Sequence, residues 1–387
     1  MKQLFNNTIV KLLLGVIAGL IIGPYLTDTL LQITLSTRHI LGQVILFLVP
    51  LIILGFVVSS ISKLDKGQTK IIGFSIIIAY MSSVGAGFFS SALGFNIIPH
   101  LNVASNVETI KKLPEMLFKL DIPPIFGVMT ALTLALMLGI GILWTESKTL
   151  ERAFDAFKDI VLLLVNRILI PVLPLYIMAN FALLSYEGSI QSQLPVFITV
   201  ILIVIVAHFV WLAFLYGLAG IYSKKNPWEV IKHYLPAYLT AVGTMSSAAT
   251  LGIALQSAHK SKILKPEITN FTIPFFSNIH LCGSVLTEVF FVMTVAQVLY
   301  GAIPSVGTMI IFIVLLGIFA IGAPGVPGGT VMASLGIIST VLGFDDAGIA
   351  LILTIFALQD SFGTACNIVG DGALSLMATT FSEKRKE

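Results

Sequence analysis

The sequence predicts an all-α membrane protein, and three observations carry the prediction. Hydrophobic residues make up 57% of the 387 positions and charged ones 11%, where a soluble domain carries about 25% charge. So little charge leaves no surface to show to water. Mean hydropathy is +1.00, and apolar runs of membrane length recur along the whole chain. Inside the last of them, from about 347 to 380, Asp360, Thr364, Asn367 and Asp371 are spaced 4, 3 and 4 residues apart, one stripe of a helix.

In chain order, spans fall at roughly 8–26, 33–62, 70–98, 122–145, 153–186 and 194–222. Each is long enough for about 30 Å of hydrocarbon, and the longer ones tilt or project beyond it. The opening Met1–Asn7 is too weakly basic for a cleaved signal and lacks a small-residue cleavage site, so the first helix is expected to stay as an anchor. Lys63, Lys66 and Lys70 follow the second span, Lys148, Arg152 and Lys158 the fourth, and Lys224, Lys225 and Lys232 the sixth. Lys384, Arg385 and Lys386 close the chain, whereas the alternate side holds Arg38, Lys111, Lys112 and Lys119. The positive-inside rule then places both termini in the cytoplasm, in a multi-pass protein of the cell inner (plasma) membrane. Residues 102–121 form a modest outside loop, and no soluble domain is expected. Cys282 and Cys366 lie in apolar segments, so no disulfide framework is implied.

After residue 225 the pattern breaks. Tyr234–Val242 and Leu251–Leu255 are too short to span alone and flank Gly243-Thr244-Met245-Ser246-Ser247-Ala248-Ala249-Thr250. That reads as a helical hairpin with a small polar tip, entering from the cytoplasm and returning to Lys260–Lys265. Thr308–Ile321 and Val331–Gly343 flank Gly322-Ala323-Pro324-Gly325-Val326-Pro327-Gly328-Gly329-Thr330, a second hairpin from the opposite side. A long helix with a polar interruption follows each, at Asn278–Ser284 and at the Asp360–Asp371 stripe. Two such units in inverted repeat point to a midplane site of a secondary transporter.

Hairpin tips inside a bilayer are tolerated where they line a cavity or bind something. Half-helix N-termini hold a carboxylate, and exposed carbonyls hold a cation. Two acids, a hydroxyl and an amide on one stripe are too costly to face lipid and mark a functional site. No HExxH, CxxC pair or phosphate-cradling Gly-rich Lys motif is present, so a metal enzyme or an ATP-driven pump has no support. A channel, which uses continuous rings of carbonyls or charges, is one alternative. An intramembrane hydrolase recruiting Ser246 or Ser247 with His280 is another, although the sequence places no acid to orient that histidine. Asn166 and Arg167 read as scaffold or trimer contacts, and His208 as a packing histidine.

Ser246-Ser247-Ala248-Ala249-Thr250, Gly325-Val326-Pro327-Gly328-Gly329 and Asn367-Ile368-Val369-Gly370-Asp371 resemble the dicarboxylate/amino acid:cation symporters of the glutamate-transporter superfamily. Leu358–Ser361 and Gly328–Gly329 look most like its sodium:serine/threonine branch. The resemblance implies about eight transmembrane helices plus two re-entrant hairpins, a homotrimer and an elevator-type mechanism. It divides the chain into residues 1–66 (scaffold helices one and two) and 67–100 (transport-domain helix three). Residues 101–190 are then scaffold helices four and five, and residues 191–387 the rest of the transport domain.

By position, Asp360 matches the acid that binds the substrate's α-amino group, and Thr364 and Asn367 match contacts to its side chain and carboxylate. Ser246 and Ser247 match the tip that holds the α-carboxylate, while Gly325 and Val326 match the tip that closes as a gate. Asp371, with a carbonyl of Asn367, matches a sodium site, in keeping with a hard cation's preference for oxygen. Acidic-substrate members carry an arginine where this chain has Gly363, and the tip arginine of archaeal members is replaced by Met245. An unpaired buried carboxylate is prohibitive, so a small neutral amino acid such as serine, threonine or alanine is implied. The family's Asn-Met-Asp-Gly-Thr reads His280-Leu281-Cys282-Gly283-Ser284, and the change to Cys282 removes the acid of a sodium site to which Ser82 and Ser83 would add hydroxyls. Glu288 matches the glutamate of proton-coupled animal members, and His280 is a second candidate for proton coupling. Sodium leads as the coupling ion, with the proton as the alternative and no other cofactor. The alternative to a neutral substrate is a dicarboxylate.

Overall fold

The computed structural model describes residues 8–62, 69–101, 113–187, 190–323, 325 and 327–384. Met1–Asn7, Lys63, Lys66, Lys111, Lys112, Val326, Arg385 and Lys386 lie outside the described residues, and with them part of the charge pattern and one expected gate residue. Every regular element described is helical.

Helices α1 (Thr8–Ile22), α2 (Asp28–Ser62) and α3 (Thr69–Ile97) fall on the first three expected spans. The fourth is shorter than its sequence reading of 122–145. Pro123 and Pro124 cannot donate to a helical ladder, so residues 113–127 stay irregular and α4 runs only from Val128 to Thr145. The fifth span begins early as α5 (Lys148–Leu164), with Ser147 accepting from the Leu150 N–H at its N-cap, passes through a π-turn at Val165–Leu169 and continues as α6 (Ile170–Glu187). Helix α7 covers Ile190–Ser223.

Two packed pairs of short helices lie where the hairpins are expected. The first is α8 (Leu235–Thr244) and α9 (Ser247–His259), and the second is α12 (Val306–Ile321) and α13 (Gly329–Leu342). Between them, α10 (Pro266–Ile279) and α11 (Cys282–Tyr300) form one long rod broken at His280–Leu281. The polar stripe lies on α14 (Asp346–Glu383), which carries it without a break. Six helices among the described residues are long and apolar enough to cross a membrane, whereas α1, α4 and the arms of the second hairpin are apolar but shorter.

The helices pack in two groups. Helices α1, α2, α4, α5 and α6 pack on one another, and α3 packs with α7–α14. The groups meet mainly where α13 lies against α2 and α4, and where α14 touches α1 and α6. In the first group α1 and the turn that follows it cross α6 on Gly15, Gly19 and Gly23. A Cβ at any of the three would collide with the carbonyl oxygen of Pro174, Met178 or Ala182, the close backbone approach that small residues allow in membranes. Burial differs sharply among the spans. The most apolar stretch of the α10–α11 rod is 100% buried and that of α14 89%, against 25% for α5–α6, so the rod and α14 face protein while α5–α6 face outward.

Candidate functional site

The two hairpin tips touch. Ser246 is the N-cap of α9, where its Oγ accepts from the Ala249 N–H at 3.2 Å. The same hydroxyl donates to the Gly325 carbonyl of the second tip at 2.7 Å. Met245, before it, is buried and holds a left-handed backbone at φ 53°, which only a tight turn would demand of a methionine. Ser247 is buried in the first turn of α9, and Gly325 lies against Ser247 and Ala248.

The stripe on α14 faces these tips and the broken rod. Asp360 is 3% exposed and its Oδ2 accepts from the Gly328 N–H, at the N-cap of α13, at 2.6 Å. Thr364 stands one turn on and is likewise buried. Asn367 closes the break in the rod: its Oδ1 accepts from the N–H groups of Gly283 (2.7 Å) and Ser284 (3.2 Å), two orphan donors of the first turn of α11, and its Nδ2 donates to Ser284 Oγ at 2.9 Å. Gly363 packs directly on α11, where a Cβ would stand 3.4 Å from Ser284 Cα and 3.4 Å from Thr287 Oγ1.

Asp371 and His280 are both fully buried and bonded to each other, His280 Nδ1 to Asp371 Oδ1 at 2.9 Å. The other ring nitrogen meets Ser82 Oγ on α3 at 2.9 Å, and Asp371 Oδ2 accepts from Ser277 Oγ at 3.1 Å. Ser83 Oγ accepts from the Leu281 N–H at 3.2 Å. A sodium ion on Asp371 would have to share its carboxylate with donors already in place, since each oxygen takes a protein hydrogen bond. Helix α14 also runs unbroken through Asn367, which leaves that residue's carbonyl inside the helical ladder. Contrary to the expectation from sequence, an acid, Asp371, does orient His280. The resulting Ser82–His280–Asp371 chain copies the connectivity of a hydrolytic triad but lies wholly inside the protein, and its serine is neither Ser246 nor Ser247.

Glu288 is fully buried on α11 and accepts from the Ser334 hydroxyl of α13. Its Oε2 has no protein partner among the described residues. His208 on α7 bonds the Gly283 carbonyl and Thr287 Oγ1, both at 3.0 Å, and Thr287 donates to Gln359 Oε1 at 2.9 Å. These three residues, with Ser277, support the site from behind, and sequence reasoning passed over Thr287, Gln359 and Ser277. Their signal was a polar residue inside an apolar run, too common in single hydroxyls to single them out. Asn166 and Arg167 are exposed on the π-turn of the outer group, away from the site.

Excitatory amino acid transporter 1 of Homo sapiens is 28% identical over 279 residues, 70% of this chain and 50% of that protein. The same transporter of Ambystoma tigrinum is 27% identical over 278 residues, with the same shares. The chain thus spans about half the length of these curated relatives. A proton/sodium-glutamate symport protein of Bacillus caldotenax is 25% identical over 412 residues, 97% of this chain and 95% of that protein. Residues 8–381 match the model of the sodium:dicarboxylate symporter family. Paired short helices with touching tips, a broken rod and a buried polar stripe thus sit in a chain that belongs to the sodium:dicarboxylate symporter family, whose members are membrane transporters rather than enzymes.

Proposed function

We propose that this chain carries a small neutral amino acid, such as serine, threonine or alanine, across the cell inner (plasma) membrane together with sodium. One observation carries the substrate class. Around Asp360 the described stripe and tips bring a carboxylate, hydroxyls and backbone N–H groups but no lysine or arginine, and the arginine position holds Gly363 against α11. Relatives named for glutamate handle a second substrate carboxylate; this site offers it no countercharge.

In this reading Asp360 pairs with the substrate ammonium, and Ser246, Ser247 and the N-terminus of α9 take the α-carboxylate. Thr364 and Asn367 border the side chain, and Gly325 with Val326 forms the gate. Sodium is held at the further site that the family resemblance implies, built from main-chain carbonyls near the second tip. Residues 1–66 and 101–190 form a fixed scaffold in a homotrimer, while 67–100 and 191–387 move as an elevator; the two packing groups support that division. Both termini face the cytoplasm.

The test is uptake of a panel of labelled amino acids into proteoliposomes with and without a sodium gradient. Sodium-driven, saturable uptake of serine, threonine or alanine is the expected outcome. Sodium-driven uptake of glutamate alone would reject the substrate class. A second reading, proton coupling, is favoured by the unpartnered Oε2 of buried Glu288. It predicts uptake that ignores sodium, follows an imposed pH gradient and vanishes in Glu288→Gln.

A further inference from the structure

The single imidazole of His280 touches two residues that the family resemblance assigns to two different sodium sites, Ser82 at 2.9 Å and Asp371 at 2.9 Å. The third side chain of that set, Cys282, is buried at the start of α11 and brings a thiol where the family has a carboxylate. A neutral ring with its proton on Nδ1 satisfies both contacts, donating to the carboxylate and accepting from the hydroxyl. Ser277 fills the remaining oxygen of Asp371 at 3.1 Å. An ion entering here would compete with the ring and the hydroxyl already seated on a buried carboxylate, and any donor it displaced would lose its partner at a cost.

We infer that His280 is a tethered occupant of the coupling-ion region: its ring takes the place of sodium at both side-chain-built sites, and this chain couples to fewer sodium ions than a member with the full motif. Only the site made from main-chain carbonyls remains for sodium. The inference rests on the cation-coupled reading above for its physiological meaning, but the ring's occupancy of Asp371 can be tested without substrate.

The readout is the rise in melting temperature of the detergent-purified protein in sodium chloride over equal choline chloride, with no amino acid added. A ligand that binds only the folded state raises that temperature by mass action. In the wild type, Asp371→Asn should leave the sodium-dependent rise unchanged, because sodium does not use that carboxylate. The double variant His280→Asn, Cys282→Asp restores the family's motif residues at those positions and should gain a further rise of at least about 2 °C. Adding Asp371→Asn to the double variant should remove part of that gain. A wild-type rise lost in Asp371→Asn would overturn the inference. So would a double variant that still binds substrate and elutes as wild type yet gains no rise. Failure of amino acid uptake would instead count against the symport reading and leave this measurement standing.

Discussion

Replacing Asp360 with asparagine isolates one charge. The substitution keeps an oxygen that can accept from the Gly328 N–H, now 2.6 Å from Oδ2, so the second tip keeps its anchor and the fold should survive. What disappears is the negative charge at a side chain only 3% exposed, where water cannot replace it. Breaking a buried ion pair by removing one partner costs about 3–5 kcal/mol. At about 1.4 kcal/mol per decade that is a loss of roughly two to nearly four decades in amino acid affinity. Calorimetry or a scintillation proximity assay on the purified protein would read it, with elution volume and melting temperature as controls for folding. Binding within a few-fold of wild type, in a variant that elutes normally, would refute the assignment of Asp360 to the substrate ammonium.

Aspartate and glutamate should fail to compete with serine or alanine for uptake, and Gly363→Arg should move preference toward them. That shift should be partial, because the new side chain must thread past Ser284 and Thr287 at 3.4 Å from its Cβ. Strong inhibition of the wild type by millimolar aspartate would end that account. Ser246→Ala loses both the α9 cap and the bond to Gly325, about 1–2 kcal/mol of local stability, and hydrogen exchange at Ala249 should quicken accordingly. Gly283→Ala should prevent normal assembly, since its Cβ would stand 2.5 Å from the Gly363 carbonyl oxygen and from Cys366 Cβ; normal yield and melting temperature would contradict that packing.

Much of this architecture was legible from local pattern. Apolar length gave α2, α3 and α7, and the Gly-Pro and Ser-Ser segments located the turns between the two pairs of short helices, although Met245 rather than a small residue holds the left-handed position at the first. Spacings of 4, 3 and 4 aligned Asp360 to Asp371 on one helix face. The α4 boundary was less legible, because apolar length masked what Pro123 and Pro124 do to a helix. Gly15, Gly19 and Gly23 stand at intervals of four, a readable small-residue stripe whose partner α6 lies far along the chain. The pairing of His280 with Asp371 joins positions 91 residues apart, and that of Ser82 with His280 spans 198. Local periodicity carries no information about such contacts. Asn367 shows the same limit: its place on the stripe was readable, but its service to the N–H groups of α11 depends on where a broken rod comes to rest.

The hydroxyl of Ser246 has a single proton, and in this structure the Gly325 carbonyl holds it. A substrate carboxylate that claims this proton makes an exchange rather than an addition, so the hydrogen-bond count at the tip stays level and the gain is small. The exchange leaves the Gly325 carbonyl oxygen in want of a positive partner in a half-buried place. In the proposed binding mode, an anion arriving at one tip would therefore free a carbonyl at the other to serve a cation, two sides of one proton's transfer of allegiance.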